Sequence, residues 1–338
     1  MDTIPLHSDR TTHSPQRRCS VVIPVYNEEE VIPELIDRLQ AAFDQTPAVH
    51  WQVIFVDDGS RDRSAELIRA RSVADPRIAL VRLSRNFGHQ AAITAGLNHV
   101  EADAALIMDA DLQDPPEVIP DLVREWLAGG QIVIAQRLSR KDRGWRGLAF
   151  RLYHQSIHWV NDFKITAQAG IFGLIAQPAL GHIVGLSEHN RFLPGLRDWV
   201  GFERRIVHYH RDERAAGTPK QSFKNLLRYA LDGIFSFSYK PLRLLAYGGI
   251  ASLLCGMGLA LMRVFQVAAG QPWNGIDGTS LLAALLICQG LQLLALGVIS
   301  QYLARVCDEV RARPMFLVKE TLGLSPAPAQ ANEQRRAA

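Results

Sequence analysis

Between Ser20 and about Arg137 short apolar runs alternate with longer amphipathic ones, and that rhythm leaves few folds open. Candidate strands are Ser20 to Val25, Gln52 to Asp57, Ile78 to Leu83, Ala104 to Asp109 and Ile132 to Gln136. Candidate helices lie between them, near Glu28 to Phe43, Arg61 to Val73, Gln90 to Val100 and Pro116 to Ala128. Strand–helix alternation of this length predicts an α/β domain, a parallel sheet with helices on both faces. Such sheets bind ligands beyond the carboxyl ends of their strands. Three polar clusters fall there: Pro24-Val25-Tyr26-Asn27-Glu28, Asp57-Asp58-Gly59-Ser60 and Asp109-Ala110-Asp111.

The third cluster opens the run Asp109-Ala110-Asp111-Leu112-Gln113-Asp114-Pro115-Pro116. Two carboxylates one residue apart, at the end of a buried strand, repel one another and lose hydration together. A hard divalent cation that also holds a diphosphate relieves both costs. Asp114, just before two prolines, reads as a helix N-cap instead of a ligand.

The chain has 338 residues, a formal charge of +3 and 48% hydrophobic residues. That is enough for one sizeable domain and more, and the charge is too close to neutral to point to nucleic acid. Cys19, Cys255, Cys288 and Cys307 stand singly and read as reduced structural thiols. Met1 to Arg18 is polar, lacks the apolar core of a secretory signal, and places the following domain in the cytosol. Lys141 to Asp162 is basic and aromatic, and Arg191 to His210 mixes aromatic and basic residues that would cover the cleft. His208 and His210 fit one face of a strand as well as a metal pair, so no ligand role is assigned to them.

After Gly217 the character changes. Lys220, Lys224 and Arg228 recur opposite an apolar face of Leu226, Leu227, Ala230, Leu231 and Ile234, the pattern of a helix lying in a membrane interface. Leu244 to Met262 and Leu281 to Ser300 are uncharged runs, each about 28 Å long as a helix, close to the hydrocarbon thickness. Lys240, Arg243, Arg305, Arg311 and Arg313 flank the outer ends and put both on the cytosolic side. Gly248, Ser252 and Gly256 suit close helix contact. The resulting division is a disordered tail at 1–18, a catalytic domain at 19–217 and a juxtamembrane amphipathic segment at 218–243. A transmembrane hairpin follows at 244–304, with 244–262 and 281–300 as spans, and a cytosolic C-terminal tail at 305–338.

The segments VVIPVYNEEE from Val21, VDDGSRDRS from Val56, LSRNFGHQAAITAGL from Leu83 and DADLQDPPE from Asp109 closely resemble family 2 glycosyltransferases. NRFLPGLRDWVGF from Asn190, LLRYALDGIFSFSYKPLRL from Leu226 and QYLARVCDEVRARP from Gln301 resemble its polyprenyl-phosphate branch, which includes bactoprenol glucosyltransferases and dolichol-phosphate mannose synthases. The resemblance runs from about residue 20 to 320. It implies a GT-A fold and inverting transfer of a sugar from a nucleotide diphosphate, UDP-glucose as first choice, to polyprenyl phosphate. It also implies a bacterial inner-membrane setting, with the catalytic domain cytosolic, and a homo-oligomer.

By position, the resemblance implies that Pro24, Tyr26, Glu28, Asp57 and Asp58 contact the nucleotide. Asp109, Asp111 and Gln113 would surround Mg²⁺ or Mn²⁺, Arg137 would lie near the reacting phosphates, and Arg143, Arg151 and Lys220 would grip the acceptor phosphate. Many members carry Gly-Asp-Phe-Arg-Leu where this chain has Gly170-Ile171-Phe172-Gly173-Leu174, losing an acid and a base together. A processive polysaccharide synthase would carry a Gln-x-x-Arg-Trp motif, which is absent. A non-catalytic sugar-nucleotide sensor would have no need of Asp109, Asp111 and Gln113. A dinucleotide oxidoreductase would show Gly-x-Gly-x-x-Gly after the first strand, and this chain does not.

Overall fold

The computed structural model describes residues 16–138, 169–186, 188, 191–210, 278–324 and single positions between 245 and 270. In chain order the elements begin β1 (Arg17–Val25), α1 (Ile32–Asp44), β2 (Val49–Asp57), α2 (Ser64–Ala74), β3 (Ile78–Leu83), α3 (His89–Leu97) and β4 (Ala104–Ile107). A short 3₁₀ turn (Pro116–Val118) then leads into α4 (Ile119–Leu127) and β5 (Ile132–Arg137). β6 (Ala169–Ala176), α5 (Gln177–Gly185), α6 (Leu193–Trp199), β7 (Arg204–Tyr209), α7 (Gly278–Arg311) and β8 (Val318–Leu322) follow.

The strands form one eight-stranded sheet in the order β7-β5-β6-β4-β1-β2-β3-β8. β1 pairs in parallel with β2 and β4, and β2 with β3. These strands are sandwiched on both faces, so their side chains are apolar almost without alternation; the last seven residues of β1 are all buried. The parallel sheet expected from the sequence is in fact mixed. β6 inserts antiparallel between β4 and β5, and β8 adds antiparallel to β3. β7 pairs in parallel with β5 at the opposite edge and alternates exposed with less exposed positions, as an edge strand does.

Each face of the sheet carries its own core. α1 buries Ile32, Leu35, Ile36, Leu39 and Phe43, one stripe at helical spacing, against the face that also receives α2 and α4. α3, α5 and α6 cover the other face through Ile93, Leu97, Leu180, Ile183 and Leu193. α3 lies so close that a Cβ on Gly96 would sit 2.4 Å from a Val22 methyl and 2.9 Å from a Val56 methyl. The missing side chain sets the helix–sheet distance.

The sequence reading of 305–338 as a tail is corrected here. α7 continues to Arg311, and β8 returns to the catalytic sheet, with Phe316, Val318 and Leu324 packed on its second core. Arg69 of α2 holds the Glu320 carboxylate through Nη2 at 2.7 and 2.9 Å. The pairing was hidden because β8 is a short edge strand that meets β3 only after a very long detour.

α7 has 34 residues, about 51 Å of helix. Its stretch Cys288–Arg311 is long and apolar enough to cross a membrane, and the apolar window within it has no buried residue. It is the one such helix among the described residues; most of 244–262, and all of the juxtamembrane segment 218–243, lie outside them.

Gly96→Ala should lower unfolding stability by about 1–3 kcal/mol through overpacking. Val22→Ala in the same chain should recover part of that loss, as read by denaturant unfolding of the two single variants and the double.

Candidate active site

The register of the parallel strands decides where the polar loops meet. Val25 is level with Asp57 across β1 and β2, and the Asp58 N–H donates to the Val25 carbonyl at 2.9 Å. Beyond that point the two loops are joined reciprocally. The Asn27 N–H donates to Ser60 Oγ at 3.0 Å, and the Arg61 N–H to Asn27 Oδ1 at 2.9 Å. The Glu28 N–H donates to Ser64 Oγ at 2.9 Å, and the Glu29 N–H to Asp62 Oδ2 at 3.1 Å. Asn27 adopts a left-handed φ of 53°, which short polar side chains tolerate best after glycine. Tyr26 and Glu28 are half-buried on this rim, while Pro24 is buried inside β1.

Asp57, the last residue of β2, and Asp58, just beyond it, are both buried, and each is compensated differently. Asp57 accepts the Ser60 N–H at 2.9 Å and pairs with Arg82 Nε of β3 at 3.1 Å. Asp58 accepts the backbone N–H groups of Phe87 at 2.7 Å and Gly88 at 2.9 Å. Burial raises the Asp58 pKa, the two N–H donors oppose that, and neighbouring Asp57 adds to the rise. Gly59 makes this clamp possible: its φ is +70°, and a Cβ there would lie 2.6 Å from the Arg85 backbone carbonyl carbon.

The clamped loop leads into α3, whose first residue, His89, was not singled out from the sequence. Its Nε2 is 2.7 Å from Asp109 Oδ1. Burial alone would lower the His89 pKa, but the bond to Asp109 and the charges of Asp109, Asp58 and Asp111 raise it. His89 stands inside the motif from Leu83, so the signal was present; only the fold brings it to the acid.

The acidic run alternates. Ala110, Leu112 and Asp114 are buried, while Asp109, Asp111 and Gln113 are partly exposed on the site side. Leu112 has a left-handed φ of 57° and is 1% exposed. That conformation costs a non-glycine residue about 1–2 kcal/mol, and burial of its side chain offsets it. The Gln113 N–H donates to Asp111 Oδ1 at 3.2 Å, fixing the turn. The outward set is all oxygen donors, which fits a hard divalent ion taking its other ligands from phosphate and water. Among the described residues no three His, Cys, Asp or Glu side chains cluster tightly enough to hold a metal alone.

Asp114 is not the N-cap expected from its sequence. Pro115 occupies the cap position of the 3₁₀ turn, and Asp114 is fully buried, accepting the Tyr209 hydroxyl at 2.5 Å. Arg137, at the end of β5, donates Nε–H to the Tyr209 oxygen at 3.0 Å, with Nη2 3.5 Å from Asp114 Oδ1. Burial and the adjacent Asp114 carboxylate push the Tyr209 phenol up. Burial works against the Arg137 charge, but Asp114, then Tyr209 and Asp109, more than restore it. Arg143, Arg151 and Lys220 lie outside the described residues.

At the departure Gly170 to Gly173, the room for a side chain at 173 is already taken. A Cβ there would meet the Val133 carbonyl at 2.5 Å and Arg197 Nη1 at 3.3 Å. Arg197 of α6 is 1% exposed and donates from Nη2 to the Gly170 carbonyl at 3.1 Å. His208 is exposed on edge strand β7, and His210 is exposed just beyond it.

With this geometry in place, the comparisons are specific. The profile of glycosyl transferase family 2 matches residues 20–179. The chain is 40% identical to the uncharacterized glycosyltransferase YkcC of Bacillus subtilis, over 90% of this chain and 94% of that one. It belongs to glycosyl transferase family 2. This family 2 transferase is also 36% identical to the SfII prophage-derived bactoprenol glucosyl transferase of Shigella flexneri, over 90% of this chain and 98% of that protein. Its mixed α/β sheet is the GT-A-like arrangement of the family.

Two solved structures align more loosely. One is glucosyl-3-phosphoglycerate synthase from Mycobacterium tuberculosis with Mn²⁺ and UDP, at 21% identity, TM-score 0.45, over 65% of this chain and 76% of that one. The other is the mannosyltransferase PcManGT from Pyrobaculum calidifontis with GDP-Man and Mn²⁺, at 17% identity, TM-score 0.43, over 88% and 87%.

Gly59→Ala should cost about 2 kcal/mol or more, combining left-handed strain with a backbone clash. Phe87 and Gly88 amides should then exchange hydrogen faster than in the wild type, while amides in α1 change little.

Proposed function

We propose that this transferase moves a sugar from a nucleotide diphosphate to polyprenyl phosphate at the cytosolic membrane face, with inversion at the anomeric carbon. The observation that carries the reading is an outward-facing Asp109, Asp111 and Gln113 set beside the nucleotide-side loops, in a chain 36% identical over 90% of its length to a bactoprenol glucosyl transferase. UDP-glucose is the first-choice donor. The exposed apolar helix α7, and a second span at 244–262, would anchor the chain as an integral protein of the bacterial inner membrane.

Tyr26, Glu28 and the Asp57–Asp58 loop would receive the nucleotide, and Pro24 would shape the strand end beneath it. Asp109, Asp111 and Gln113 would hold Mg²⁺ or Mn²⁺, which supplies charge neutralisation at the leaving nucleoside diphosphate. Arg137 would face the phosphates, adding fixed positive charge where negative charge develops. Arg143, Arg151 and Lys220 are the acceptor-phosphate candidates. A phosphate monoester is already anionic near neutral pH, so no side chain is required to take a proton from the nucleophile. In-line placement of donor and acceptor supplies the rest. Small residues in the first span, Gly248, Ser252 and Gly256, would support a homo-oligomer.

The test is incubation of membranes containing the full chain with polyprenyl phosphate and a panel of nucleotide sugars, with and without EDTA. One donor should give a lipid-linked sugar, and EDTA should abolish it. Asp111→Asn should lower turnover about 100-fold or more while membrane insertion is retained. A folded, metal-supplied protein giving no product from any donor would sink the proposal.

A further inference from the structure

Arg137 is bounded on three sides, by Tyr209, Asp114 and Gly170. Tyr209, the last residue of β7, is level with Arg137 across the β5–β7 pairing, so both side chains leave the sheet at the site edge. A phenol has a single proton, and Tyr209 gives it to Asp114 Oδ1 at 2.5 Å. Its oxygen is thereby turned to accept Arg137 Nε–H at 3.0 Å. Nη2 of the same guanidinium lies 3.5 Å from Asp114 Oδ1. The third side is Gly170: a Cβ there would come within 3.1 Å of Arg137 Nη2 and 3.7 Å of its Cζ, so a side chain at 170 would press on the guanidinium and shift it by a few tenths of an ångström.

Two restraints on one planar group fix its rotation as well as its position. A guanidinium carries more N–H donors than these contacts use. The group is therefore oriented while keeping a donor edge for a phosphate. Asp114 belongs to the same run as Asp109 and Asp111, so the restraint also ties Arg137 to the outward acids. Without partners Asp114 would be a buried bare charge, which is strongly unfavourable. Tyr209 packs edge-on against Phe172, centroids 5.5 Å apart, which holds the phenol in line.

We infer that Tyr209 and Asp114 are positioning residues of the transfer step, acting through Arg137 over the bare floor of Gly170. The inference deepens the function proposed above and rests on it for its kinetic arm. Tyr209→Phe keeps the ring against Phe172 and removes only the hydroxyl. Turnover per folded molecule should fall about 10- to 100-fold, the range expected when a reacting group is misplaced, with donor KM changed less than about twofold if ground-state binding is left intact. Gly170→Ala, which presses on the guanidinium and leaves the phenol–carboxylate pair, should show the same split between kcat and KM to a smaller extent. Combining Tyr209→Phe with Arg137→Lys should give little further loss.

Wild-type kcat in Tyr209→Phe, or losses that multiply in the double variant, would overturn the inference. A second arm needs no substrate. A double-mutant cycle of Tyr209→Phe and Arg137→Met, read by denaturant unfolding of the full chain in detergent, should be non-additive; additive effects would also overturn it. If the wild type transfers no sugar at all, the proposed function fails, and the unfolding cycle alone decides whether the hydroxyl holds Arg137.

Discussion

Parallel strands end together, and everything at this site follows from that. Because Val25 is level with Asp57, and β4 lies on the other side of β1, three loops leave the sheet at one edge and have to share it. Backbone N–H groups freed at the strand ends are then satisfied by side chains of the neighbouring loop, such as Asn27 N–H by Ser60 and Phe87 N–H by Asp58. Each loop is thus shaped by the next, which makes the edge a single preorganised surface.

The cost of this design is a concentration of acids, and the fold meets it pairwise. Arg82 stands against Asp57, His89 against Asp109 and Arg137 against Asp114, each partner coming from a different element. Asp58 instead takes two backbone N–H groups. Asp111 and Gln113, of the same run as Asp109 and Asp114, are partly exposed. Pairs on a buried carboxylate, as at Asp57 and Asp114, add little net stability, but breaking one is expensive; their value here is fixed orientation.

Much of this was legible in the sequence, and the gaps have physical reasons. The first five strands and four helices appear within a few residues of their expected positions, because strand–helix alternation and buried parallel strands write a strong local pattern. β6, β7 and β8 do not, since an inserted antiparallel strand and two edge strands are specified by distant partners. Asp114-Pro115-Pro116 has the local form of a helix start, yet its carboxylate answers to Tyr209, a residue far along the chain. His89 lay in a recognised motif, but only the turn at Gly88, φ +100°, delivers it to Asp109. The departure at Gly173 looked like a lost base; in the fold, Arg197 brings a guanidinium to that space from helix α6.

The C-terminal strand bears on how a lipid substrate could reach such a site. β8 is antiparallel to β3, and its first residue, Val318, is paired with Leu83, the last residue of β3. The Ser84 N–H continues the contact by donating to the Leu317 carbonyl at 2.9 Å. The chain arriving from α7 therefore enters the sheet at the carboxyl end of β3, the same edge that carries the loops after β1 and β2. Between Arg311 and Val318 there are few residues, and an extended chain of that length reaches only about 20 Å. Burial raises the Glu188 pKa, the Arg191 charge opposes that, and Glu309, in the last turn of α7, is near enough to add a smaller rise. If α7 crosses the membrane as proposed, its cytosolic end and the reaction edge are held on one side of the domain by a short tether. On the function proposed above, a phosphate at the membrane surface would then travel a protein-sized distance, not a diffusive one, to meet a donor at Asp109 and Asp111.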